Sequence, residues 1–436
     1  MSFLINIGYS FKQPTVLADG SVILASAMPM HQLERRRNME DYPHLNQRLF
    51  DPQLYLAGLD AASSPAHCAK LATYSWFGVK GLPTYSSGKH KKQGTWSAIA
   101  NNAIPSLWMG SAPRDTGTIE SSIGDCVDFQ LRIGCQAVIL PSPLTIDSAT
   151  TYADELAWLD AGISYCRTLE GAKPPVYATV ALQDITIRYA DPTRNPLLDL
   201  ILDAVSAREI QGVYVVVEQA SEASDTRQCG STRVLGAVLH VVHLFANEAR
   251  LKVGVNFLGP FGLACEAAGA AWWASNWYKS LYRLRLADKL GGGRSYPLYW
   301  SYPAALDVHL ETDFDSLVAA PQGLFGRLQD QTSASDALLR AAAQNHRASV
   351  VPGWRYQQGN VAQAIEHYLL AAVRSDRELS ALTGNARLDH VENWLKAAVA
   401  MTRPIRSALG QPPRTKTDHV LAWQDAFLAY RKAHNV

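Results

Sequence analysis

The chain has 436 residues, 47% of them hydrophobic and 18% charged, with a formal net charge of +1. That composition excludes a disordered chain, and so small a charge excludes nucleic-acid affinity driven by the overall field, leaving only local basic patches. No run approaches the ~18 uncharged apolar residues of a membrane helix, so no membrane partner is expected. The opening Met-Ser-Phe-Leu-Ile-Asn-Ile-Gly has neither a basic leader region nor a small-residue cleavage site. The six cysteines (68, 126, 135, 166, 229 and 265) form no Cys-x-x-Cys, which argues against a zinc ribbon or redox pair. A reduced, cytoplasmic setting is expected, with no cofactor and no metal.

Residues 1–50 read as a β-rich N-terminal segment. Ser21–Ala27 follows Asp19-Gly20, a turn signal, and is expected to pair with Phe3–Tyr9 or Thr15–Leu17. From Asp51 the pattern changes to apolar runs that stop at polar or turn residues. Leu54–Leu59 stops at Asp60, Tyr74–Val79 is a second short run, and Gln136–Leu140 stops at Pro141. Val176–Leu182 stops at Gln183-Asp184, Gly212–Val217 at Glu218-Gln219, Val253–Leu258 at Gly259-Pro260, and Ala271–Ala274 at Ser275. Helical periodicity separates them over Tyr152–Leu169, Pro196–Ala207, Arg233–Ala249 and Gly262–Gly269.

Alternating strands and helices argue for βαβ units and a parallel sheet. The expected fold is therefore α/β, a (β/α)8 barrel over residues 51–325. An open doubly wound sheet competes with it but lacks the Gly-x-Gly-x-x-Gly signature. Beyond residue 325 four helical patterns, Ser335–Gln344, Val361–Ser375, Leu388–Thr402 and His419–Ala433, predict a helical C-terminal region over 326–436.

In such a barrel the C-terminal strand ends form one mouth. Asp60, Asp184 and Glu218, with Gln183 and Gln219, are expected to converge there. The Tyr214–Val217 run makes the strand carrying Glu218 the most secure. Paired carboxylates suit cleavage of a glycosidic bond: one stabilises an oxocarbenium-like centre and another handles a proton. The amides offer hydrogen bonds to a sugar hydroxyl or a base edge. Each carboxylate has a blander alternative, pairing with an arginine or capping a helix.

Aromatic and basic residues interleave in two places. Trp272, Trp273, Trp277, Tyr278, Lys279, Tyr282, Arg283, Arg285 and Arg294 form one segment. Lys89, Lys91 and Lys92 lie in a second, acid-free loop. Rings stack on bases and cations hold phosphates. Trp76, Trp272, Trp273 and Tyr278 are thus candidate walls for a flipped base. Lys89, Lys91, Lys92, Lys279, Arg283, Arg285 and Arg294 are candidate phosphate contacts. The competing reading is an amphipathic helix with its rings in the core, since Tyr278, Tyr282 and Leu286 recur at helical spacing. His240-x-x-His243 lacks the zinc-protease pattern.

The combination of barrel, strand-end carboxylates, aromatic-basic surface and helical tail resembles the tRNA-guanine transglycosylase-like group, which includes DNA-acting relatives and a phage-defence DNA glycosylase. The resemblance is one of architecture over residues 51–325. It implies cleavage of an N-glycosidic bond between base and sugar, with Glu218 matched to the carboxylate at the anomeric carbon. Two departures favour hydrolysis over base exchange: the chain has no Cys-rich zinc site after the barrel, and its best strand-end acid is Glu where the group usually has Asp. The expected function is a glycosylase that leaves an abasic site, with DNA favoured over RNA. A barrel glycoside hydrolase or lyase on a small molecule, and a non-catalytic binding barrel, remain open alternatives.

Overall fold

A computed structural model describes residues 2–7, 20–35, 47–82, 99–146, 151–189, 191–220, 228–286, 296–321, 323–355, 361–410 and 413–436. Eight strands form one parallel sheet: β1 (Phe3–Ile7), β2 (Gly20–Leu24), β3 (Gln47–Asp51), β4 (Val138–Ile139), β5 (Val176–Gln183), β6 (Gly212–Glu218), β7 (Lys252–Asn256) and β8 (Trp272–Ser275). Each pairs in parallel with its sequence neighbour from β1 to β3 and from β4 to β8, and β8 pairs back onto β1. Between β3 and β4, the Gln136 N–H donates to the Arg48 carbonyl at 3.1 Å. The sheet is thus a nearly closed (β/α)8 barrel, the fold the alternating pattern predicts.

The β-rich N-terminal segment and the helical C-terminal region are both present, but the expected boundaries move. β1 and β2 pair in parallel, so they are not the arms of a hairpin. With β3 they supply three of the eight barrel strands, and the barrel therefore begins well before residue 51. The runs read as the first two strands are instead short 3-10 turns, Leu54–Leu56 and Ser75–Phe77. Gln53 takes a left-handed φ of 53° and stops β3 from continuing. Gly78, at φ 68°, ends the second turn. Both runs are buried, and burial alone gives a short turn the same apolar look as a strand.

The outer layer holds the four helices predicted within the barrel and three that were not. In order it holds α1 (Met30–Arg35), α2 (Pro65–Leu71), α3 (Thr116–Arg132), α4 (Ala153–Thr168), α5 (Pro196–Ser206), α6 (Thr232–His243) and α7 (Gly262–Ala267). α1, α2 and α3 were not expected; Asp115 caps α3 by accepting from the Thr118 N–H at 2.8 Å. The C-terminal region contributes α8 (Ala362–Ser380), α9 (Asn385–Ala408) and α10 (Asp418–His434). α8 takes the eighth helical position: Tyr368 meets Ser275 near the top of β8, and Asp376 accepts from Ser2 and Trp273 at the opposite end. A two-stranded antiparallel hairpin, β9 (Leu298–Ser301) and β10 (Leu306–His309), precedes it.

β5 and β6 are buried along nearly their whole length, as expected for strands covered on both faces. Side chains alternate, so Tyr214, Val216 and Glu218 share one face of β6. Tyr214 reaches Asp51 of β3 across the barrel, which makes that face the interior. The lower interior is filled by the Trp272 indole, stacked on Tyr214 at 5.6 Å. Gly254 makes room for it, since a Cβ there would lie 2.0 Å from the indole.

Candidate functional site

Glu218 is the last residue of β6, faces the interior, and is 2% exposed. Its neighbour across the ladder is Gln183, the last residue of β5. The Gln183 amide donates to Glu218 Oε2 at 3.3 Å, and the Leu286 N–H donates to Oε1 at 3.2 Å. β6 outruns β7 here, and residues 284–286 take the place beside it: Glu218 bridges in parallel to Leu284, and the Gln219 N–H donates to the Leu284 carbonyl. Burial pushes the Glu218 carboxyl above its ordinary value. The two hydrogen bonds oppose that shift; the nearby Asp184 charge adds to it and Arg285 counters it. A carboxyl in this condition can hold a proton where an exposed one releases it.

Asp184 follows Gln183 directly and is fully buried. It forms an ion pair with Arg188 at 3.2 Å, one helical turn on. The structure therefore brings Glu218, Gln183 and Asp184 together, with Arg285 beside them. Gln219 is buried too, and neither its Nε2 nor its Oε1 has a hydrogen-bond partner among the described residues. The alternation of β6 sets it on the face opposite Glu218.

Asp60 does not join this group. It lies nine positions beyond the end of β3, is exposed, and accepts from the Ala62 and Ser63 N–H groups at 3.0 and 3.2 Å. Those bonds hold its carboxyl below the usual range. It is a turn cap, and the apolar run before it, expected as a strand, is a 3-10 turn.

Three of the four expected aromatic walls are core residues. Trp76 is fully buried, donates to the Pro52 carbonyl at 3.1 Å, and sits among Phe50, Tyr74 and Phe129. Trp272 fills the barrel interior. Trp273 points outward under α7, where a Cβ on Gly262 would lie 2.5 Å from its ring. Hydrophobic bulk at a strand is recruited for packing before it is available to a ligand. Only Tyr278 is partly exposed, set edge-on to Trp277 at 5.7 Å. Of the expected phosphate contacts, Arg283 is buried and Arg285 half-buried. Lys89, Lys91, Lys92 and Arg294 lie outside the described residues, as does the Lys279 side chain.

The strand-end acid that sequence reasoning missed is Asp51. It closes β3, is fully buried, and faces the interior. Tyr55 and Tyr214 hydroxyls donate to its Oδ2 at 2.5 and 2.8 Å, and the Gln53 N–H donates to Oδ1 at 3.0 Å. Tyr214 in turn accepts from Asn256 at 2.7 Å, and Asn256 pairs with Asn6 of β1. Strands β1, β3, β6 and β7 are thus linked through one buried polar network. The signal was present: Asp51 ends Leu49-Phe50 just as Glu218 ends its own run.

All six cysteines are buried and none is in a disulfide. Burial pushes the Cys68 and Cys135 thiols up to about 12, which makes them poor nucleophiles. Among the described residues, no group of three or more His, Cys, Asp or Glu side chains is arranged to hold a metal ion. No helix among them is long and apolar enough to cross a membrane. No protein-family model matches the chain, and no curated protein matches it.

Proposed function

We propose that the chain is a glycosylase that hydrolyses an N-glycosidic bond, with Glu218 as its proton-handling carboxyl. The observation that carries this reading is a buried, inward-facing carboxyl at the barrel mouth, raised by burial and held by only two long hydrogen bonds. Protonated Glu218 donates to the departing base nitrogen as the C–N bond breaks, leaving an oxocarbenium-like sugar. The resulting carboxylate takes a proton from water while its oxygen bonds to the anomeric carbon, which restores the acid. Gln183 orients the Glu218 carboxyl, and Asp184, held in place by Arg188, sets its carboxylate near the developing cation.

Nucleic acid is the substrate we propose, DNA before RNA. The segment bearing Arg283 and Arg285 is hydrogen-bonded to the tip of β6, within reach of the same mouth, and the sequence carries further cations at Lys89, Lys91 and Lys92, outside the described residues. The barrel's likeness to the transglycosylase-like group supports the reaction class, and a role in defence against phage is part of that likeness. A second reading, hydrolysis of a small glycoside, is favoured by one observation: Trp76, Trp272 and Trp273 are committed to the core and cannot wall a flipped base.

The test is to incubate the chain with unmodified and modified DNA, with RNA, and with nucleosides and aryl glycosides. Released base and abasic sites support the first reading, and binding should weaken steeply with salt. Turnover confined to small glycosides replaces it with the second. Full activity of Glu218→Gln on any of these substrates overturns both.

A further inference from the structure

α10 lies along α6, the helix that follows β6, and touches it at both ends. At the upper end the Trp423 indole N–H donates to the Cys229 carbonyl at 2.8 Å, in the connection between Glu218 and α6. At the lower end three histidines meet. His240 Nδ1 and His434 Nε2 are 2.9 Å apart, and the His243 and His434 rings stand 3.8 Å apart, centre to centre. The Tyr430 hydroxyl lies 3.1 Å from His243 Nδ1.

The hydrogen bonds fix where protons can sit. The Asn247 amide nitrogen donates to the Ala268 carbonyl, which sets its orientation; it also lies 3.1 Å from His243 Nδ1, and that nitrogen must accept. Between His240 and His434 one nitrogen carries the proton and the other receives it. A proton on His243 Nδ1 sets it against the Asn247 amide N–H, and a second proton between His240 and His434 sets two N–H groups face to face.

The surrounding charges do not remove this conflict. Asp191, before α5, and Asp199, on α5, favour protonation of His240; Glu248, beyond α6, favours it for His240 and His243. On α10, Arg431 is engaged by Asp389 and Glu392 of α9, and Lys432 is the adjacent cation. Cys265 of α7 faces Tyr430. Burial and mutual repulsion prevail: His240 and His243 are lowered, and His434 is lowered to about 4.

We propose that α10 is a pH-sensitive brace on the connection after β6: protonating the His240, His243 and His434 cluster loosens α10 and releases its hold on Cys229. Its bearing on catalysis rests on the role proposed for Glu218, but the brace itself does not. The sign is set by histidines lowered below the ordinary ~6.5. They stabilise the docked helix fully above that value, and the contribution is lost as pH falls from it towards about 4.

Hydrogen exchange on the full chain tests this without any substrate. Protection factors, corrected for intrinsic exchange, are compared at about pH 7.5 and about pH 5. Peptides from 418–434 and 228–243 should lose protection on the order of tenfold at the lower pH, while peptides from 116–132 keep theirs. In His240→Gln/His434→Gln, and in His434→Gln alone should the double variant fold poorly, that loss should shrink or vanish. An equal loss in the variants, or none in the wild type, overturns the brace. Neither result depends on whether Glu218 cleaves a glycosidic bond.

Discussion

Two buried carboxylates, Glu218 and Asp51, end strands of the same barrel and face the same interior, yet their surroundings differ. Asp51 accepts from two hydroxyls and a backbone N–H at 2.5–3.0 Å, and its partners are tied on to Asn256 and Asn6. Glu218 accepts from one amide and one N–H, at 3.3 and 3.2 Å. A charge met by short donors is a fixture of the scaffold. A buried carboxyl with little support favours its neutral form and has lone pairs to spare for a ligand. Position at a strand end is shared by both, so under the proposed function the hydrogen bonds are what would set a working acid apart from a structural one.

The largest expected effect breaks that contrast at its reactive end. Glu218→Gln should lower turnover by about 10²–10⁴-fold, the span of a lost general acid–base, while the denaturation midpoint barely moves. A large loss of stability with retained turnover would exchange the roles of the two acids. Asp51→Ala should do the opposite. It strands the Tyr55 and Tyr214 hydroxyls and should cost about 3 kcal/mol in a urea titration. Gly254→Ala tests the filled interior below both: forcing a methyl against the Trp272 indole should cost about 1–3 kcal/mol.

A smaller effect sharpens the electrostatics. Glu218 is raised above its ordinary value, so its acid form persists to higher pH, and turnover that needs this form is complete below the raised value and falls as pH climbs through it. Arg285 counters the rise. Arg285→Gln should therefore move the alkaline limb of the pH–rate profile further up; a downward move would contradict the assignment. The smallest effect is the control. Asp60→Asn should leave turnover unchanged, because that carboxylate only caps an exposed turn.

The long strands were legible because their residues are buried on both faces, which leaves an unbroken apolar run with a polar stop. β5 and β6 fall within one residue of the predicted runs, and with them Gln183, Asp184 and Glu218. The amphipathic helices were legible for a similar reason: α5 runs Pro196–Ser206 against a predicted Pro196–Ala207. Short elements were legible in part: Phe3–Ile7, Val138–Ile139, Lys252–Asn256 and Trp272–Ser275 are strands within or beside the expected runs, whereas Leu54–Leu56, equally apolar, is a turn, and only pairing partners far along the chain decide between the two. The same ambiguity promoted Asp60 and hid Asp51. Tryptophans were over-read because their chemistry suits both stacking on a base and filling a barrel. The spacing that would decide it, Gly254 opposite Trp272, is a contact across strands.

The hydrogen bonds from Ser2 to Asp376 join positions 374 residues apart in the chain. Closing a loop of that length costs about 5 kcal/mol of chain entropy. During synthesis, β1 and β8 must therefore wait uncovered along that edge until α8 has left the ribosome. An apolar edge left open for most of translation is where a chaperone would bind and where a truncated product would aggregate. The covering of this edge of the barrel is thus a late event in synthesis, tied to the arrival of α8.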